Sequence, residues 1–206
     1  RCLIVVDVAQ SAGLLPLPHT AADAMVGSAH KWLYGPPGSG FLWLTPSFQK
    51  KLGAFFWAGE PLLDTLSTGR FENTGAMDFS IYARLDAALA LYQKVGPRKA
   101  LARSRRLGGF FAAGLTRIFG RAGIESEFLG ETAFASFSVN FKRLDPYPLY
   151  QYLNRHKIHV KCIKSKTPEG TFKILRFGFP YYETLGPLTK ALSTIEHFFY
   201  HYHGGR

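Results

Sequence analysis

Leu3-Ile4-Val5-Val6-Asp7-Val8-Ala9-Gln10-Ser11-Ala12-Gly13 carries an apolar run onto a carboxylate and then an amide, and Ala24-Met25-Val26-Gly27-Ser28-Ala29-His30-Lys31-Trp32 carries the next run onto a hydroxyl, an imidazole and a lysine. Short apolar runs bounded by Gly, Pro and polar residues predict strands. Leu3–Val6, Ala24–Ser28 and Gly40–Leu44 are three of them. Pro46–Leu52 and Phe79–Lys94 have helical spacing, the second with Leu85, Ala88, Leu89 and Tyr92 on one stripe. Strands separated by longer crossovers predict an α/β arrangement with a mixed or parallel sheet, whose ligands gather at strand ends. Asp7 and the Ser28–Lys31 group each fall at such an end.

The run Cys2–Val6 reads as a buried strand with no cap or lead before it. A strand of that kind needs neighbours already in place, so the chain is expected to be the C-terminal part of a longer protein. With 206 residues, 47% of them hydrophobic, it can bury a substantial core. No stretch approaches the roughly 18 apolar residues that cross a bilayer, and the opening run is too short for a signal peptide. Two distant cysteines, Cys2 and Cys162, imply no disulfide framework. The expected compartment is the cytoplasm, without membrane association.

The net charge of +11 is unevenly placed. Residues 1–95 hold seven basic and seven acidic side chains, whereas residues 96–206 hold eighteen and seven. A helical pattern stops at Val95-Gly96-Pro97 and another begins, so two domains are expected, 1–95 and 96–206. In the second, Lys99–Phe119, Pro148–His156 and Glu183–Tyr202 read as helices, and Ala133–Phe141, Ile158–Ile163 and Thr171–Phe177 as strands. Helices on one face of a small antiparallel sheet make an α+β domain.

Asp-x-Ala-Gln-x-x-Gly (Asp7 to Gly13), Asp23, Ser-x-His-Lys (Ser28 to Lys31) and Gly-Pro-Pro-Gly-Ser-Gly (Gly35 to Gly40) together resemble the class V aminotransferase family of fold-type I pyridoxal phosphate enzymes. The resemblance implies the C-terminal part of the large cofactor-binding domain plus a small α+β C-terminal domain. It implies pyridoxal 5'-phosphate as cofactor, with Lys31 forming the Schiff base, Asp7 holding the pyridine nitrogen protonated, Gln10 on the ring hydroxyl, and Ser28 and His30 on the phosphate and ring. An amino-acid substrate, a homodimer, and epimerase, lyase or transaminase chemistry follow from the same likeness.

Arg70-Phe71-Glu72-Asn73-Thr74-Gly75-Ala76-Met77-Asp78 resembles the segment that family members present across the dimer interface, where a Gly-Thr pair reaches the neighbouring cofactor's phosphate. Here Gly75-Ala76 stands in that place, and Thr74 or backbone N–H groups are left to make the contact. Arg176, in Leu175-Arg176-Phe177-Gly178 before Tyr181-Tyr182-Glu183-Thr184, looks like the arginine that grips the substrate carboxylate by its planar fork. Phe177-Gly178 and Glu183 depart from the family's usual residues.

Several other motifs are weighed against blander readings. Cysteine desulfurases and selenocysteine lyases, relatives within the family, use a cysteine upstream of this arginine on a mobile loop. Cys162 instead follows Ile158-His159-Val160-Lys161 and belongs to a strand pattern, which favours the isopenicillin-N-epimerase-like branch with its similar Phe-Glu-x-Thr-Gly segment. Gly35–Gly40 has the glycine spacing of a nucleotide P-loop, but Phe41-Leu42 follow where Lys and Ser/Thr would be needed. His197, His201 and His203 lack a partner at metal-ligand spacing, so no metal site is assigned. The basic stretch Arg98–Arg121, with Arg103, Arg105, Arg106 and Arg117, is the feature a nucleic-acid-binding module would use. Phe110, Phe111 and Phe119 at helical spacing with Leu107 and Leu115 make it a core stripe backed by a solvated cationic face, and no nucleic-acid partner is expected. A homologue that kept the fold and lost activity is the remaining alternative.

Overall fold

The computed structural model describes residues 2–17, 21–52, 71, 78–130, 135–167 and 170–202. Two compact units divide the chain, Arg1–Pro97 and Arg98–Arg206.

The first unit is built on β1 (Val5–Asp7), β2 (Ala24–Ser28) and β3 (Gly40–Leu44), in the order β1-β2-β3. β1 and β2 are parallel, with Val5, Val6 and Asp7 opposite Ala24, Met25 and Val26. β2 and β3 are antiparallel, with Val26 opposite Leu42 and Ser28 opposite Gly40. Side chains alternate between faces along a strand. One face therefore turns Met25, with Val6, Phe41 and Trp43, onto Val8, Ala12 and Ala22 to form a small core. The other carries Val5, Val26 and Leu42, all exposed.

That exposure corrects one expectation. The predicted strand Leu3–Val6 is ordered as Val5–Asp7, and Leu3, Ile4 and Val5 are not buried. Among the described residues no second layer covers this face. The chain before β1 is held by a polar clip instead: Ile4 N–H donates to Asp23 Oδ2 at 2.9 Å, and Asp23 N–H returns a bond to the Ile4 carbonyl at 2.8 Å. Buried Asp23 is thus structural, at the opposite end of β2 from Ser28.

After β3, Thr45 accepts from Phe48 N–H and caps α1 (Pro46–Gln49), with Pro46 in the first turn, where its missing N–H costs nothing. The helix ends short of the expected Leu52 because Lys51 and Leu52 bond three residues back. α2 (Ser80–Val95) stops at Gly96, whose φ of +88° is a conformation other residues adopt only at a cost.

The second unit packs α3 (Pro97–Ala122), α4 (Tyr147–Arg155) and α5 (Leu185–Tyr202) with a wholly antiparallel sheet ordered β4-β5-β7-β6. These strands are β4 (Ser126–Leu129), β5 (Ser136–Phe141), β6 (Lys161–Thr167) and β7 (Gly170–Gly178). Phe137, Val139 and Phe141 of β5 and Leu175 and Phe177 of β7 turn inward together with Leu107, Phe111, Leu115 and Ile195. The Phe111 ring lies 5.2 Å from that of Phe177 and 5.4 Å from that of Phe179, the offset spacing that aromatic rings prefer. Arg103 donates to the Glu183 carbonyl at 3.1 Å, tying α3 to the turn before α5. Ile195 is fully buried in this core. Ile195→Val should therefore cost about 1 kcal/mol in chemical denaturation, the usual effect of removing one buried methylene.

Three expectations in this unit change. β4 carries too short an alternation to show in the sequence, and it forms because β5 offers it an edge. The strand expected at Ile158–Ile163 begins at Lys161: Lys157 takes φ +60° and Ile158 N–H bonds back to the Leu153 carbonyl, so those residues close α4. Phe110 faces solvent, whereas Leu107, Phe111, Leu115 and Phe119 are buried as the helical stripe required.

Candidate active site

Parallel pairing of β1 and β2 brings both carboxyl ends to one edge of the sheet. Asp7 is the last residue of β1 and Ser28 the last of β2. From this edge the two site loops depart.

In the first loop, Asp7 Oδ1 accepts the Ala9 N–H at 2.8 Å. That bond fixes the carboxylate at the turn and leaves Oδ2 directed to no described donor. Val8 N–H continues the ladder to the Val26 carbonyl at 2.9 Å, and Ala12 and Leu15 bond back to Val8 and Ser11 as tight turns. Gln10 lies on these turns. Its Oε1 accepts from Trp32 Nε1 at 3.3 Å. Since an indole N–H only donates, the bond also sets the amide's orientation and leaves the Gln10 NH₂ as the group available to an acceptor.

The second loop is pinned on both sides of the lysine. Ala29 N–H donates to the Ser39 carbonyl at 3.0 Å, Gly35 N–H to the Ala29 carbonyl at 2.9 Å, and Ser39 Oγ to the Pro36 carbonyl at 2.6 Å. His30 Nδ1 lies 3.3 Å from the Ser39 carbonyl. Tyr34 holds φ +58°, a left-handed conformation that costs a non-glycine residue about 1 kcal/mol or more. Backbone strain is thus stored three residues after Lys31. The Lys31 ammonium makes no hydrogen bond or ion pair with the described residues and is partly exposed.

The two loops are clamped to each other. Gly13, at φ +90°, leaves no room for a Cβ, which would lie 2.4 Å from the Trp32 carbonyl oxygen. The Gly13 carbonyl accepts from Tyr92 Oη of α2 at 2.6 Å.

The parallel register thus brings Asp7, Gln10, Ser28, His30 and Lys31 to one sheet edge. Arg176 stands in the second unit, exposed on the face of β7 opposite the core, with Ser138 and Lys161 as its cross-strand neighbours. Thr74 and the Gly75-Ala76 pair lie outside the described residues. Sequence reasoning missed Trp32 as the bridge to Gln10, buried Ser39 as the carbonyl facing His30, and Tyr92 as the support of Gly13. The indole's position beside the Ser-x-His-Lys motif was the available signal for the first.

Cys162 sits half-buried on β6 opposite Leu175, against the core. Burial pushes its thiol above the usual range, and the Asp145 carboxylate adds to the effect. A raised thiol pKa means less thiolate at neutral pH. Iodoacetamide at pH 7 should accordingly label exposed Cys2 several-fold faster than Cys162, whose alkylation rises only at higher pH; mass mapping of the two peptides reads the ratio.

The donor set fits pyridoxal phosphate: a held carboxylate with one open oxygen, an outward amide NH₂, and an unengaged amine beyond a hydroxyl at the next strand end. Among the described residues no helix is long and apolar enough to cross a membrane, and no cluster of three or more His, Cys, Asp or Glu side chains is placed to hold a metal.

A probable cysteine desulfurase of Methanothermobacter thermautotrophicus is 24% identical, over 94% of this chain and 52% of its own length. The apo cysteine desulfurase of Thermococcus onnurineus NA1 superposes with a TM-score of 0.73 at 21% identity, over 95% of this chain and 52% of that one. The ureidoglycine-glyoxylate aminotransferase of Bacillus subtilis gives a TM-score of 0.69 at 18% identity, over 98% and 54%. The chain thus spans about half the length of the relatives it matches, and these structures share its fold. The family model described as Aminotransferase class-V matches residues 1–185, and with the fold and the lysine edge in agreement, the chain belongs to the class V aminotransferase family.

Proposed function

We propose that this chain carries the cofactor lysine of a pyridoxal phosphate-dependent enzyme acting on an amino-acid substrate by epimerase, lyase or transaminase chemistry. The observation that carries the reading is the parallel β1–β2 pair, which sets the Asp7 carboxylate and the Lys31 loop at the same sheet edge. When bound, the cofactor supplies an aldehyde for amine exchange and a ring that accepts the electrons of a substrate carbanion.

Each residue then has a defined task. Asp7, its carboxylate fixed through Oδ1, would keep the pyridine nitrogen protonated. The Gln10 NH₂ donates to the ring hydroxyl. Ser28 and His30 serve the phosphate and ring. Lys31 would supply the amine that holds the cofactor, and the same amine would move the proton at the substrate α-carbon. Arg176 grips the α-carboxylate with its fork. The assembly expected of this reading is a homodimer in the cytoplasm.

The test is the product of the complete reading frame, supplied with cofactor, reduced with borohydride and mapped by peptide mass. A cofactor adduct on Lys31 is expected. A folded protein without visible absorbance and without adduct would overturn the reading in favour of an inactive homologue.

Cysteine desulfurase or selenocysteine lyase is the second reading, favoured by the likeness to the two cysteine desulfurases. Persulfide chemistry needs an accessible thiolate, and Cys162 is half-buried in a strand with its thiol pushed up. Turnover should survive Cys162→Ser. Loss of sulfur release in that variant would instead establish the desulfurase.

A further inference from the structure

In the sheet of the second unit, Arg176 of β7 is opposite Lys161 of β6 on one side and Ser138 of β5 on the other. Arg176 alternates with buried Leu175 and Phe177, and Ser138 with buried Phe137 and Val139, so the row Lys161–Arg176–Ser138 occupies the face turned from the core. Both cations are exposed. Like charges directly opposite on paired strands destabilise a sheet, and an uncompensated pair calls for a counter-ion.

The same two strands contain an internal comparison. Lys164 stands opposite Lys173 three positions along, and that pair has a carboxylate beside it: Lys173 Nζ donates to Asp145 Oδ2 at 2.5 Å. No described carboxylate does this for Lys161 and Arg176. In this unit Glu125 pairs with Arg143, Glu127 with Lys142 and Glu196 with Arg121, while Glu183 accepts from Thr184 N–H. The acids of this unit that the structure describes are engaged elsewhere.

We propose that the Lys161–Arg176–Ser138 row is a two-carboxylate subsite that selects an acidic amino acid as substrate. It rests on the proposed function for the amino-acid nature of the ligand and for one of its two anchors. Arg176 holds one carboxylate by its fork, with the Ser138 hydroxyl as an added donor. Lys161 holds the second as a point charge. The spacing of adjacent strands, about 4.8 Å, matches the short reach between the carboxylates of a four-carbon diacid. A monocarboxylate satisfies only half of this charge.

Calorimetric titration of the complete reading-frame product with succinate and with propionate separates the cases. Succinate is expected to bind about 10-fold tighter than propionate. Lys161→Gln should reduce that preference to within about 2-fold while leaving propionate binding intact, and Lys161→Arg should restore it. Thermal stability gives a second readout: relief of the like-charge pair leaves the melting temperature of Lys161→Gln unchanged or raised, whereas a merely structural lysine would lower it. Equal binding of the two acids, a preference that survives Lys161→Gln, or a lowered melting temperature overturns the subsite. The Lys31 adduct assay on the same preparations keeps the two readings apart. Succinate preference without an adduct rejects the cofactor reading and retains the anion site, and an adduct without the preference does the reverse.

Discussion

Asp7→Asn should leave the Lys31 adduct in place and slow α-proton chemistry about 10²- to 10³-fold, the usual cost of removing one preorganised electrostatic group. The side-chain oxygen that accepts the Ala9 N–H survives in asparagine, so the turn after β1 keeps its 2.8 Å bond and stability should change by less than about 0.5 kcal/mol. What disappears is the negative charge beside the open oxygen. On the proposed function, a neutral amide would not keep the pyridine nitrogen protonated, and the ring would accept carbanion electrons poorly. Single-turnover rates of the complete reading-frame product, measured beside borohydride adduct yield, distinguish this from a failure to bind cofactor. A rate loss below 10-fold with full adduct yield would take Asp7 out of the mechanism.

The second large effect is structural. Gly13→Ala places a methyl group 2.4 Å from the Trp32 carbonyl oxygen and 2.6 Å from its carbon, both backbone atoms, and asks alanine to hold φ +90°. Neither rotamer change nor side-chain movement relieves such a clash. A cost of about 3 kcal/mol or more is expected, a large share of the roughly 5–15 kcal/mol that holds a domain together. Because Trp32 follows Lys31 directly and its indole bonds Gln10, the strain is delivered to the site loops. Urea unfolding should show the loss. Gly109→Ala is the control: the methyl group meets nothing within 4 Å on the long helix α3, and the change should stabilise by about 0.5–1 kcal/mol. If Gly13→Ala unfolds at the same urea concentration as the parent protein, the two loops are not clamped as described.

Much of this was legible in the residues themselves. The runs ending at Asp7 and Ser28 are short, apolar and bounded by turn residues, and that local pattern suffices to place two strand ends. The stripe Leu107, Phe111, Leu115, Phe119 has helical spacing, so the buried face of α3 was readable, and Val95-Gly96-Pro97 marks a helix stop through one residue that tolerates positive φ and one that lacks an N–H. The side-chain types at positions 7, 10, 28, 30 and 31 announce their chemistry because charge and hydrogen-bonding capacity belong to the residue.

Pairing belongs to the fold. Only the parallel register of β1 and β2 decides that Asp7 and Lys31 share an edge, and only the approach of Gly13 to Trp32 turns two loops into one support. β4 has no independent signal, since its hydrogen bonds exist only with β5 beside it. The Lys161–Arg176 row is invisible in sequence because the residues are fifteen positions apart and become neighbours solely through the β6–β7 register. Cys162 shows the same division: its identity suggested a nucleophile, but its burial against Leu175 and the core sets how little thiolate it offers. The sequence by itself determined which groups are present and which local elements carry them; the tertiary structure decided which groups meet, because cross-strand register, steric contact and desolvation are properties of distances that no single stretch of chain contains.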